Sequence, residues 1–368
     1  MIEIKLLILD DDERVTDSYQ ETIKRINRDS EKINYKTYIA HTLETAKEYI
    51  KYNKLDTAIV DLNLCRDASD MSNADGNKAI EEIMNSFRMP IFIVSGELSK
   101  LDAKFKNNKL IIPRTRDDSI SEIFTTDIPL AYNSKTMLYF SRSGYLEKKI
   151  NDFYWNNLEE TLDSWSEVAE LHPDKFESIL SRHTVACLNE QFYVNGNTGS
   201  FDKYHPGEMY IIPPIKKHYH TGDIIKKDGK LFIILNPACD VVGKNKLHYY
   251  TLSKIIEAID IKEIQNKDAT GRQQFIDSNL KTANKNNRYH YLPMFNLIDK
   301  NYVIDFQNIS TVDIGEHTDP GNANYIKGRE ENISNYERIA SISSPFLKDV
   351  ISRYSLYYAR QGQPNLFY

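Results

Sequence analysis

The chain has 368 residues and a mass of 42.8 kDa, about twice what one hydrophobic core organises, so more than one domain is expected. With 40 % apolar and 27 % charged residues it is not a collagen-like, low-complexity or disordered chain. The net charge, 47 − 53 = −6, argues against a general nucleic-acid coat or an anchor on anionic membranes. Three cysteines, Cys65, Cys187 and Cys239, are too few and too scattered for a disulfide framework or a C-x-x-C zinc site. No apolar run reaches the length of a signal peptide or a membrane span, so a cytoplasmic protein with reduced thiols and no membrane partner is expected.

The first third alternates strand and helix signals. Lys5–Leu9 is a compact apolar run ending in acids, the pattern of a buried parallel strand. Arg14–Ile26 places Val15, Tyr19, Ile23 and Ile26 at helical spacing, Lys36–Ala40 is β-prone, and Thr42–Tyr52 reads as a helix capped by Thr42. A strand follows at Thr57–Asp61, a helix at Asn77–Asn85, a buried strand at Pro90–Ser95 and a shorter one at Lys109–Ile112. Such units imply an α/β, doubly wound parallel sheet with helices on both faces, spanning residues 1–125.

Residues 126–200 are helical in pattern, with apolar spacings of three and four in Tyr145–Ile150, Phe153–Trp165 and Phe176–Leu188, broken at Pro173. This stretch reads as a connector: a packed helical subdomain, a rigid linker or a homodimer surface. From 201 to 368 the texture is β-rich. Short runs at Tyr210–Pro214, Gly222–Ile225, Lys230–Leu235, Leu247–Leu252, Tyr289–Leu292 and Tyr302–Phe306 are divided by Pro and Gly, and Asp228-Gly229 is a hairpin signal. Leu252–Asp260 and Gly271–Leu280 suggest short helices, and Pro345–Tyr358 a last one. Of the 24 tyrosines in the chain, against 2 tryptophans, many lie in this half, as suits half-buried strands.

In a parallel sheet, loops beyond the carboxyl ends of strands converge on one crevice. Asp10, Asp11 and Asp12 follow the first strand, Asp61 the third, and Ser95-Gly96 closes the fourth. Carboxylates at one edge suit a hard divalent cation. A carboxylate beside that cation can act as nucleophile toward a phosphoryl group, with a hydroxyl and backbone N–H groups receiving the transferred oxygens. Asp11 or Asp12 also suits the cap of the helix beginning near Arg14.

These residues resemble a response-regulator receiver domain of two-component systems, which has a flavodoxin-like fold. The resemblance implies that Asp61 accepts phosphate from a sensor histidine kinase, with Mg2+ held by Asp10 and Asp11 (or Asp11 and Asp12, one register on), Asp61 and the backbone carbonyl of Asn63. Ser95 takes the place of the Ser/Thr that receives the phosphoryl oxygens. The pattern departs after the fifth strand, where receivers carry a lysine followed by proline: Lys109-Leu-Ile-Ile-Pro113-Arg114-Thr115-Arg116 offers Arg114 as a substitute, and a guanidinium fork does not simply replace an ammonium. The aromatic that receivers use for readout corresponds to Ile111.

In the second half, Cys239-Asp240 with His218, His220, His248 and His290 raises a Cys–His nucleophile or a metal site, against a buried structural cysteine at a strand end. His183 reads as a packed histidine. The phrases Thr221-Gly-Asp-Ile224, Asn236-Pro-Ala-Cys-Asp240, Tyr289-His-Tyr-Leu-Pro293 and Ile304-Asp-Phe-Gln307 resemble an SH3-like barrel domain found behind atypical receivers. The combination is similar to the receiver family of the Detocs anti-phage two-component systems, which implies a phosphate buffer sharing its kinase with a second response regulator. Two other readings stand beside it. One is a regulator whose β-rich half binds a protein or nucleic acid, through a basic patch at Lys216, Lys217, Lys226, Lys227 and Lys230. The other is a phosphorylation-gated enzyme using Cys239.

Overall fold

The computed structural model describes residues 2–64, 75–141, 144–193, 203–242, 249–281, 288–313 and 333–360. The chain divides into two compact units, Met1–Phe201 and Asp202–Tyr368. Cys65, His248, residues 66–70 and the tail from 361 lie outside the described residues.

The first unit opens with β1 (Ile2–Leu9), α1 (Glu13–Asp29), β2 (Ile33–Ala40), α2 (Leu43–Tyr52), β3 (Thr57–Val60), α3 (Asp75–Ser86), β4 (Ile91–Ser95) and β5 (Ile111–Thr115). The strands form one parallel sheet in the order β2-β1-β3-β4-β5, the doubly wound flavodoxin-like order with its switch point between β1 and β3. Alternation along β1 explains why both faces are covered. Ile4, Leu6 and Ile8 join Tyr19 and Ile23 of α1, whereas Leu7 and Leu9 join Ala46 and Ile50 of α2 and Ile80 and Ile83 of α3. Thr42 caps α2 through a bond from Thr45 N at 3.2 Å, as its sequence predicts.

Two expectations shift here. The fifth strand lies two to three residues later than the apolar run alone indicates, because Pro113 sits inside it. β5 is an edge strand, where a missing N–H is tolerated. The sheet layer also does not stop at 125: α4 (Ile120–Glu122), a π turn (Ile123–Asp127) and α5 (Ile128–Tyr132) run on without a break, burying Ile123, Phe124 and Ile128 against the α1 face. Among the described residues, the β4–β5 connection holds a single 3-10 turn, Leu98–Lys100, and no α-helix. Beyond it come α6 (Lys135–Phe140), α7 (Tyr145–Phe153), α8 (Leu162–Leu171) and α9 (Phe176–Tyr193).

The second unit contains β6 (Tyr210–Ile211), β7 (Asp223–Lys227), β8 (Lys230–Ile234), α10 (Ala238–Val242), β9 (Tyr249–Glu257), α11 (Ala269–Phe275), β10 (Tyr289–Leu292), β11 (Tyr302–Asp313), β12 (Glu337–Ile342) and α12 (Ser344–Ala359). Its strands make a seven-stranded antiparallel sheet in the order β10-β11-β9-β8-β7-β12-β6. The expected β-rich module is present as this sheet, with β10 and β6 as its edges among the described residues. The β7–β8 hairpin turns at Asp228 and Gly229, φ 48° and 73°, the left-handed pair that a two-residue turn requires. Leu252–Asp260 is not a helix: Leu252, Ser253 and Ile255 are buried in β9 between β8 and β11, and pairing on both sides overrides the helical spacing of its apolar residues. The last helix, α12, packs Val350 and Tyr354 against Phe306 and its neighbours.

Candidate functional site

Register brings the site together. Leu9 pairs with both Ala40 and Val60, Val60 pairs with Ile93, and Ser95 pairs with Thr115, so β1 and β3 finish at one level and β4 and β5 run two residues past it on the same edge. The next residues are Asp10, Asp61 and, after β5, Arg116. Asp10 and Asp61 are almost fully buried, at 1 % and 2 % exposure. Backbone bonds from Asp10 N to Ala40 O (3.2 Å) and from Asp61 N to Leu9 O (2.8 Å) extend the sheet into the site.

Carboxylate oxygens of Asp10, Asp11 and Asp61 lie within 4.8 Å of one another. Asp12 turns away from them. It is the N-cap of α1, accepting from Arg14 N at 3.0 Å and pairing with the Arg14 guanidinium at 2.8 Å. Of the two registers the sequence leaves open, the structure assembles Asp10 with Asp11 and gives Asp12 the capping role. Three hard oxygen donors at this spacing fit a divalent cation of the Mg2+ type, and softer ligands are absent from the group.

Burial pushes the Asp10 carboxyl up to about 6, with the bond from Asp12 N (3.0 Å) opposing and the Asp61 charge adding to the rise. Asp61 is raised chiefly by burial too. Against that act the Ser95 hydroxyl, the Arg116 charge and the N–H groups of Leu62 and Asn63. The Leu62 bond measures 2.9 Å. Buried carboxylates so close repel one another, and a cation is what relieves them.

That cation is Arg116. Its Nη2 lies 2.9 Å from Asp61 Oδ2 and 3.3 Å from Asp10 Oδ2. Arg114, the residue the sequence offers for this charge, instead gives its Nε to Asp127 Oδ2 at 2.9 Å, tying β5 to the π turn after it. The reason is the strand boundary: once Pro113 is inside β5, the first side chain past its end is Arg116. A proline tolerated on the last, edge strand is the signal that points there. Ile111 is buried at the start of β5, away from this edge.

The side chain of Asn63 accepts from Lys100 Nζ at 2.9 Å and donates toward Glu97 at 3.4 Å. Ser95 is buried at the end of β4. Gly76, at the start of α3, presses on the loop after β3: a Cβ there would stand 2.4 Å from the Asp61 carbonyl oxygen and 2.6 Å from Leu62 Cα.

Among the described residues, the second unit does not bring Cys239 to a histidine. Cys239 is exposed rather than buried, on α10, with Sγ 3.6 Å from Asp240 Oδ1. His290 is bonded to Asp349 instead. His183, in the first unit, is half-buried with its ring 4.8 Å from that of Trp165, as a packed histidine would be. No helix among the described residues is long and apolar enough to cross a membrane.

No protein-family model matches this chain, and no curated protein matches it by sequence. Among solved structures it is similar to a CheY-like response regulator receiver domain protein from Methanospirillum hungatei, at 17 % identity and TM-score 0.27 over 33 % of this chain and 89 % of that one. The receiver domain of a Francisella response regulator is 20 % identical, TM-score 0.27, over 35 % and 96 % of the two chains. A Burkholderia pseudomallei response regulator, solved with a phosphorylated aspartic acid, calcium ion and citrate, is 16 % identical, TM-score 0.27, over 50 % and 92 %.

Proposed function

We propose that the protein is a two-component phosphoacceptor in which Asp61 receives a phosphoryl group from the phosphohistidine of a sensor kinase. The observation that carries this reading is the convergence, at one sheet edge, of a buried carboxylate pair, a buried hydroxyl and one guanidinium. The Asp61 carboxylate forms the new O–P bond as the N–P bond of the donor breaks, and the donor imidazole leaves with that bonding pair. Ser95 is placed to donate to a phosphoryl oxygen, and Arg116 to turn from carboxylate to phosphoryl as negative charge accumulates there. Asp10, Asp11, Asp61 and the Asn63 carbonyl would hold Mg2+, which when bound supplies charge neutralisation at the phosphoryl oxygens.

Downstream, we read the protein as a phosphate sink, drawing phosphoryl groups from a kinase that also serves a second response regulator in an anti-phage system of the Detocs kind. The β4–β5 connection, which holds no α-helix among the described residues, and the isoleucine at 111 favour a receiver that stores phosphate over one that passes on a conformational signal. A second reading, a partner-binding second unit, is favoured by the exposed Lys216, Lys217, Lys226 and Lys230 on and before the β7–β8 hairpin. Phosphotransfer from a purified kinase tests the first reading. The wild type should gain one phosphoryl group in the presence of Mg2+ and Asp61→Asn none; equal labelling of the two would overturn it.

A further inference from the structure

The second unit holds a cavity of about 630 Å³ beside β10 and α12, within the range of pockets that take small organic ligands. Its walls are largely apolar, including Met209, Leu280, Tyr291, Pro293, Met294 and Phe346. Titratable residues line it as well: Lys281 and His205 among them and, grouped together, His290 on β10 with Asp349 and Arg353 one turn apart on α12. None of them takes part in the chemistry at Asp61.

Their arrangement is one-sided. His290 Nε2 lies 3.0 Å and Arg353 Nε 2.9 Å from the same oxygen, Asp349 Oδ2. His290 is buried, and burial holds its imidazole below the usual value, so at neutral pH the ring is uncharged and donates one N–H to that oxygen. The carboxylate is held by the His290 hydrogen bond, with Arg353 Nε at ion-pair distance, while its side chain stays 46 % exposed. Arg353 is the reverse: its side chain is only 10 % exposed, its Nε stands at ion-pair distance from Asp349 yet is buried without a hydrogen-bond partner, and its remaining N–H groups have no hydrogen bond to another described residue. A guanidinium carries five donors, so this one has capacity left at the cavity wall.

A carboxylate with a spare acceptor and a guanidinium with spare donors, adjacent beneath an apolar chamber, complement a ligand that carries opposite charges close together and an apolar body. We propose that this cavity binds a small zwitterion, an α-amino acid with an apolar or aromatic side chain. The ammonium faces Asp349, the carboxylate faces Arg353, and the side chain lies among Met209, Leu280 and Phe346. His290 is a positioning residue that fixes Asp349 and does not touch the ligand. The second unit is then a ligand-binding module, independent of whether Asp61 is phosphorylated.

Calorimetric titration of the full chain with three probes tests this: L-phenylalanine, 3-phenylpropionate, which lacks the ammonium, and phenethylamine, which lacks the carboxylate. L-phenylalanine should bind at least tenfold tighter than either analogue. Arg353→Gln should remove that advantage. Because Arg353 is buried and its loss can unfold the unit, Met294→Trp at an exposed wall position serves as a second variant, expected to weaken L-phenylalanine at least tenfold by filling the chamber. Analogues binding as tightly as L-phenylalanine, no binding of L-phenylalanine at 10 mM, on the order of the weakest affinities of interest, or a Met294→Trp protein that binds it unchanged would each overturn the proposal.

Discussion

Replacing Arg116 by glutamine isolates the charge that holds the acidic site together. Its nitrogen stands 2.9 and 3.3 Å from two carboxylates that are both about 2 % exposed. With an effective dielectric of about 20, each such pair is worth roughly 5 kcal/mol before other costs. The guanidinium is 39 % exposed, so solvent screening and its own desolvation bring the net loss down to about 2 kcal/mol. The loss has a ceiling, because the carboxylates can escape by protonating. Asp10 keeps its proton up to about pH 6 in the fold, against an ordinary 3.8. The folded protein therefore binds extra protons between those values, and stability declines as pH rises through that window. Arg116 limits the decline only where the carboxylates are charged. Urea unfolding should show Arg116→Gln about 2 kcal/mol less stable than wild type at pH 8 and less than about 0.5 kcal/mol less stable at pH 5. Millimolar Mg2+ should restore part of the difference at pH 8. An equal loss at both pH values, or none at pH 8, would refute the argument that Arg116 acts by neutralising Asp10 and Asp61.

Two further predictions rest on packing. Gly76→Ala places a Cβ 2.4 Å from the Asp61 carbonyl oxygen, a backbone collision that cannot relax by side-chain rotation; a loss of about 2–3 kcal/mol in urea unfolding is expected, with slower phosphoryl acceptance. In the second unit, Arg288 forms a bidentate pair with Asp305 at 2.9 and 3.0 Å, and Asp305 is 5 % exposed. Arg288→Ala strands that carboxylate and should cost about 2–3 kcal/mol, recovered in part by Asp305→Asn, which unfolding of the single and double variants would show.

How much of this was legible in the sequence depends on how local the cause is. In the first unit, apolar runs marked β1, β3 and β4 to within a few residues, the first two followed by acids, because a strand buried on both faces must be continuously apolar. Asp10, Asp61 and Ser95 followed from those ends without any knowledge of contacts. Arg116 did not, since its place depends on β5 being an edge strand that tolerates Pro113, a fact about sheet order. The split among Asp10, Asp11 and Asp12 likewise turned on which acid caps α1. In the second unit, Asp228-Gly229 and Tyr289–Leu292 were readable from turn chemistry and composition. The length of β9 was not, because its helix-like spacing yields to neighbours on both sides. β12, with Arg338 and Ser341 bonding buried Asp223, carried too polar a pattern to read as a strand.

The close approach at Gly76 bears on how the occupancy of Asp61 would be felt elsewhere. Well-packed interiors resist small displacements and pass them on. With no room for even one carbon between the first turn of α3 and the main chain of Asp61 and Leu62, that strand end and that helix are mechanically one part. A shift of the aspartate backbone by a few tenths of an ångström must move α3 with it. The protein thus backs the main chain of the acid with a helix, which resists its displacement and suits a site that stores rather than signals.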